Sequence, residues 1–283
     1  MILPSWLLRS IRCSINRVFV VQWASVRDWD FVEIRMRMPL RVAEARDRVC
    51  RARRRLLHPW DFHRRWFREL AKFYRHLSPQ EFWFRYHQAR VDADVLVRMG
   101  SPVWQDTDYF VLRQAYYHRD RCFHLASALL PRGGVWLEYG CGIAPVSTWL
   151  ARHRRLDAFG VLADVPGRTW DFAQWRAARF GARLWCNVLP SARPLEGRDI
   201  SLIICSEVLE HVPDPVATAQ TLTRALARGG HLLVNFVETP PRGANLEPAQ
   251  RHRSATLAHF AAQLETIRPV TPHGPDGIYR KPA

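Results

Sequence analysis

Residues 135–145 read VWLEYGCGIAP. A short apolar run, Val135 to Glu138, ends in an acid. A turn with two glycines, Gly140 and Gly142, follows, and Val146 to Arg154 then takes helix-like spacing. A strand that runs through a glycine-rich turn into a helix is how an open α/β sheet makes a nucleotide pocket. The glycines let the backbone approach a ligand, and ligands sit at the carboxyl ends of the strands. Any tight βα turn can use two glycines, so this stretch alone leaves the ligand open.

Two later runs narrow the choice. Residues 200–215 read ISLIICSEVLEHVPDP, an unbroken apolar run that stops at a polar, acidic turn. About a helix later, residues 228–238 read RGGHLLVNFVE. Together and in this order the three runs resemble the S-adenosylmethionine (SAM) dependent methyltransferases of the Rossmann-like class. The nearest flavour is the broad group that contains the quinone-biosynthesis methyltransferases. The resemblance covers about residues 130–283. It implies an α/β fold with a seven-stranded sheet whose last strand is antiparallel, an N-terminal helical extension or cap, and SAM as cofactor.

The pattern after residue 130 alternates strand and helix. Strands are expected at Val135–Glu138, Ala158–Ala163, Arg183–Cys186, Ile200–Cys205, His231–Val237, Glu265–Val270 and Gly277–Arg280. Helices are expected at Pro145–Arg154, Thr169–Phe180, Pro215–Ala227 and Leu246–Leu264, the last of them polar. Upstream, Trp60, Phe62, Trp66, Phe67, Phe73 and Tyr74 recur at helical spacings. Ser78 reads as a helix cap with Pro79 at the first position, and Phe82, Trp83, Phe84 and Tyr86 follow. Asp106 to Leu130 reads as one or two further helices. Such aromatic stripes serve either as core or as lining for a substrate mouth. Three regions follow: a basic leader over 1–57, expected to be solvated or disordered, an aromatic-rich helical cap over 58–130, and a SAM-binding domain over 131–283.

Charge separates the leader from the rest. The formal charge is +16, and residues 1–75 hold 18 bases against seven acids. A basic segment can bind nucleic acid or an anionic membrane. Only Lys72 and Lys281 are lysine among the 42 bases, a bias that points to codon composition rather than to a phosphate patch. Nucleic acid is therefore not the favoured partner. The leader is expected to be dispensable, so that a chain beginning near His58 folds and binds SAM. Arginines 9, 12 and 17 break the apolar start, so neither a signal peptide nor a transmembrane segment is expected. The six cysteines include no CxxC pair, which argues against a zinc ribbon or a disulfide framework and for a cytoplasmic setting.

The resemblance carries roles onto particular residues. Glu138, Gly140, Cys141 and Gly142 hold the positions that surround the methionine part of SAM, with Ala144 where a third glycine is usual. Helix capping is the alternative for Glu138. Asp164 closes strand two, where a carboxylate can accept both ribose hydroxyls, an arrangement that would equally suit NAD. Asn187, after strand three, stands where the adenine amino group is held. Ser206 follows strand four on the cofactor side. Glu207 and His211 belong to the Glu-x-x-Glu-His signature beside the transferred methyl. They share a face if the segment is helical. His211 suits a general base, the grouping could bind a divalent ion, or Glu210 and His211 could tie helix to sheet. Whether a metal is used stays open. An aromatic face near the sulfonium, such as Tyr139, would add cation–π attraction.

The resulting expectation is a SAM-dependent methyltransferase acting on a small-molecule acceptor at oxygen. The alternatives are an RNA or protein methyltransferase, a methyltransferase-like basic binding module, and an NAD-dependent redox enzyme.

Overall fold

The structure, a computed structural model, describes residues 41–43, 45–46, 69–88, 108, 110–112, 114, 123–153, 159–179, 184–188, 199–238, 246–271 and 276–283. All belong to one compact unit, Met36–Ala283.

Seven strands form one sheet: β1 (Val135–Tyr139), β2 (Phe159–Asp164), β3 (Leu184–Val188), β4 (Ile200–Cys205), β5 (Leu226–Val234), β6 (Glu265–Arg268) and β7 (Gly277–Arg280), in the order β3-β2-β1-β4-β5-β7-β6. The first five run parallel. β7 inserts antiparallel between β5 and β6. Strand order reverses between β1 and β4, the crevice where open α/β sheets bind ligands.

Alternating side chains fill the two faces. Trp136, Leu202, Ile204, Leu233 and Ile278 pack with helices α2 (Phe123–Leu129) and α3 (Pro145–His153). Leu137, Ile203, Cys205, Leu232 and Tyr279 pack on the other face with residues of α5 (Pro215–Ala225) and α7 (Arg253–Gln263). Burial on both faces explains why β4 reads as a nearly unbroken apolar run.

Most boundaries move by one to three residues, β5 ending at Val234 and β6 at Arg268, and three differences have a local cause. β5 begins at Leu226 rather than His231, because Gly229 takes a φ of +71° and the β4–β5 register shifts there. A bulge thus carries the strand through residues that read as a turn. The preceding helix ends correspondingly early, at Ala225. Lys281 Nζ reaches back to its last turn, donating to the carbonyls of Thr223 (3.0 Å), Arg224 (3.4 Å) and Leu226 (2.7 Å). The expected long helix over 246–264 is two, α6 (Glu247–Arg251) and α7, separated at His252 (φ −91°, ψ 0°).

Upstream, Ser78 caps α1 (Pro79–Gln88), its Oγ accepting the Glu81 amide at 3.2 Å. Leu70, Tyr74, Phe82, Val111 and Leu112 form one apolar cluster with Ile143, from the glycine turn, and Phe172, from α4 (Arg168–Arg179). Tyr74 and Phe82 are thus core, whereas Phe84 is exposed. Trp60, Phe62, Trp66 and Phe67, and the side chains of Trp83 and Tyr86, lie outside the described residues. In the 1–57 leader the described residues are helical, and Ala43 is fully buried.

Candidate active site

The carboxyl ends of β1, β2 and β4 meet at the strand-order reversal. The chain leaves β1 through a turn in which Gly140, Gly142 and Ala144 take φ values of +62°, +53° and +50°. Glycine adopts that region freely, whereas a Cβ opposes it. Space adds a second demand. A Cβ on Gly140 would lie 2.4 Å from Val208 Cγ2, so the turn after β1 and the turn after β4 touch at this glycine. A Cβ on Gly142 would lie 2.2 Å from Gln114 Oε1.

Glu138 is buried near the end of β1. Its two oxygens accept the amides of Val146 (3.2 Å) and Ser147 (2.7 Å), the first turn of α3. The carboxylate thus performs the helix-capping task, where the helix dipole favours an anion. It pins α3 to the strand and so closes the glycine turn between them. Cys141 is also buried, and its amide donates to the Ala163 carbonyl at 3.1 Å, extending the β1–β2 ladder into the turn.

Asp164 ends β2. Its oxygens accept the amides of Gly142 and Val165, and the Cys141 thiol donates to it as well. Burial pushes this carboxyl above the usual range, and these donors pull the other way. A carboxylate offers about four lone-pair sites. Two amides and one weak thiol donor leave capacity for further donors. Asn187 pairs in register with Ala163, one residue before Asp164; its side chain lies outside the described residues.

At the end of β4, Ser206 is buried and Glu207 is exposed with a φ of +58°. Asn235, just past β5, holds Glu207 from both sides: its Oδ1 accepts the Glu207 amide and its Nδ2 donates to Glu207 Oε1. Leu209–His211 is a single 3-10 turn, with Glu210 buried and His211 exposed. Glu207 precedes that turn in a left-handed conformation. The four-residue spacing therefore does not set Glu207 and His211 on one α-helical face. Among the described residues no three His, Cys, Asp or Glu side chains are grouped to hold a metal ion. Tyr139 closes β1, and its phenol is pushed up to about 12, first by burial and then by Cys205, against a hydrogen bond with Thr218. It stays protonated at neutral pH.

Residues 112–271 match a family model described as a methyltransferase domain. The chain belongs to this family. It is a SAM-dependent methyltransferase of the Rossmann-like class. Solved structures similar to the enzyme include a SAM-dependent methyltransferase from Aquifex aeolicus. It has 15% identity and a TM-score of 0.40, over 54% of this chain and 83% of that one. A TehB-like SAM-dependent methyltransferase from Corynebacterium glutamicum has 15% identity and a TM-score of 0.40, over 66% and 92%. These likenesses are distant, and membership rests on the family match. No curated protein matches the sequence.

Every site residue named from the sequence lies within the matched span of the methyltransferase. Three residues that structure the site were not found that way. Gln114 Oε1 accepts the Ile143 amide at 3.1 Å. Arg176, from α4, donates to the carbonyls of Ile143 and Ala144. Asn235 fixes Glu207. Only Arg176 left a signal, as an arginine on the helix face that also presents Phe172 and Ala173 to the interior. No helix among the described residues is long and apolar enough to cross a membrane.

Proposed function

We propose that the enzyme binds SAM at the carboxyl edge of β1, β2 and β4. There it methylates a small-molecule acceptor at oxygen, as a cytoplasmic relative of the quinone-biosynthesis group. One observation carries this reading: the glycine turn of β1 and the terminal carboxylate of β2 are hydrogen-bonded to each other at the reversal of strand order. The donor set fits the cofactor, because Asp164 retains acceptor capacity beyond its amides for the two ribose hydroxyls. Gly140, Cys141 and Gly142, with Glu138 behind them, form the wall for the methionine part. Asn187 would hold the adenine amino group, and Ser206 would contribute from the end of β4.

Bound SAM supplies an already activated methyl group, so alignment and exclusion of water furnish most of the rate. His211 takes the proton from the acceptor hydroxyl as the oxygen attacks, and Glu207, held by Asn235, is the second catalytic candidate. The protonated Tyr139 phenol takes no part as a base.

Calorimetry with SAM and with NAD on one sample tests the reading. SAM binds and NAD does not. Asp164→Ala weakens SAM binding by roughly 1.5–3 kcal/mol, the range for hydrogen bonds to a charged group. An unchanged dissociation constant in the folded variant would remove Asp164 from the site. With an acceptor in hand, His211→Asn is expected to lower turnover by about 10²–10⁴ with little change in SAM affinity. A retained pH profile with lower thermal stability would make His211 a strut instead.

A further inference from the structure

Ala144 is fully buried at a φ of +50°, in a turn whose other left-handed positions, Gly140 and Gly142, are glycine. A side chain disfavours that conformation, so something else must hold it. The peptide before it is held on both sides. Gln114 accepts the Ile143 amide at 3.1 Å, and Arg176 Nη1 donates to the Ile143 carbonyl and, at 3.5 Å, to that of Ala144. The Ala144 amide donates to the Cys141 carbonyl at 2.7 Å.

Arg176 is itself 1% exposed, and its countercharge comes from far upstream: Nε lies 3.0 Å from Glu69 Oε2. Phe172 lies under the guanidinium at 5.6 Å. A buried ion pair is seldom the most stabilising way to fill its volume. Here the guanidinium is spent on a strained turn, and that turn is the one that faces the cofactor. Glu69 and Gln114 both precede β1, so the upstream segment reaches the glycine turn at the carboxyl end of the sheet.

We propose that Glu69, Arg176 and Gln114 are positioning residues that hold the turn at Ile143–Ala144 in its cofactor-competent form, doing for Ala144 what a third glycine would do unaided. The inference rests on the reading that SAM binds at this turn. None of the three needs to touch SAM, since they act through the backbone of residues 143 and 144.

The test is calorimetry on the full-length chain with SAM itself as probe. Gln114→Ala and Arg176→Lys are each made with alanine and with glycine at position 144. Each is measured at a temperature where near-ultraviolet circular dichroism shows the folded state. With alanine at 144, each substitution is expected to raise the dissociation constant at least fivefold. With Ala144→Gly, the same substitutions raise it less than twofold, because glycine takes the left-handed conformation without help. Such non-additivity is the signature of coupled residues. An equal rise in both backgrounds would overturn the proposal, and so would an unchanged dissociation constant beside a lowered Tm. Failure of the unsubstituted chain to bind SAM would instead defeat the assignment of the cofactor site. If Arg176→Lys does not fold, Gln114→Ala decides the matter, because its half-buried side chain takes no part in the ion pair.

Discussion

Asp164 works under two opposed demands. Burial raises its carboxyl above the ordinary value, so the folded state binds its proton more tightly than the unfolded chain does. The contribution to stability then falls as pH rises from the ordinary value, 3.8, to the higher folded one, and stays at that lower level above it. In the proposed site cofactor binding runs the other way, because the ionised carboxylate is the better acceptor for the ribose hydroxyls. Subtracting the stability of Asp164→Asn from that of the wild type should therefore give a difference that declines as pH is raised through this window. SAM affinity of the wild type should rise across the same interval. Denaturant titrations and calorimetry from pH 3.5 to 7 check both. A stability difference independent of pH would show that the carboxyl ionises alike in the folded and unfolded chains.

At the scale of elements, the strands were legible where burial on both faces leaves a nearly unbroken apolar run, as in Val135–Leu137 of β1 and in β4. The start of β5 was not, because Ala227 to Gly230 have the composition of a turn, and only the bulge against β4 keeps them in the sheet. The break between α6 and α7 was equally hidden, since His252 is neither glycine nor proline. The site divides in a similar way. Glu138 and the glycines announce themselves because strand, turn and helix are contiguous. Gln114, Arg176 and Asn235 do not, because their partners lie 29, 33 and 28 residues away and only the fold brings them together. Helix α5 was legible at its start, where Asp214 accepts the Ala217 amide at 2.9 Å and Pro215 takes the first position. Asp214→Ala is expected to destabilise the enzyme by about 1 kcal/mol, read from the urea midpoint at constant m-value. No shift would mean that water replaces the cap without loss.

At the scale of the whole molecule, the upstream helices are joined to α4 and the glycine turn by charge as well as by apolar packing. Asp108 accepts from the Tyr74 hydroxyl at 3.0 Å, from Arg85 at 3.3 Å and from Arg168 of α4 at 2.8 Å. Arg168 in turn lies 4.9 Å over the Phe73 ring. A chain beginning at Met36 should therefore keep the fold and the SAM affinity of the full length. One beginning at His58 keeps Glu69 and should still bind SAM, but melt at a lower temperature because the buried Ala43 is gone. Melting curves and calorimetry on the two chains check this. Loss of SAM binding from the chain that begins at His58 would place part of the leader in the site.

The scarcity of lysine gives the molecule an unusual chemical simplicity. Amine acylation has two side-chain targets, and they differ in kind: Lys72 stands exposed, while the Lys281 ammonium is engaged by three carbonyls at the end of α5. A reagent that takes the first at once must wait for the C-terminal segment to lift before it reaches the second. The ratio of the two labelling rates is a built-in clock for the lifting of the segment that follows β7.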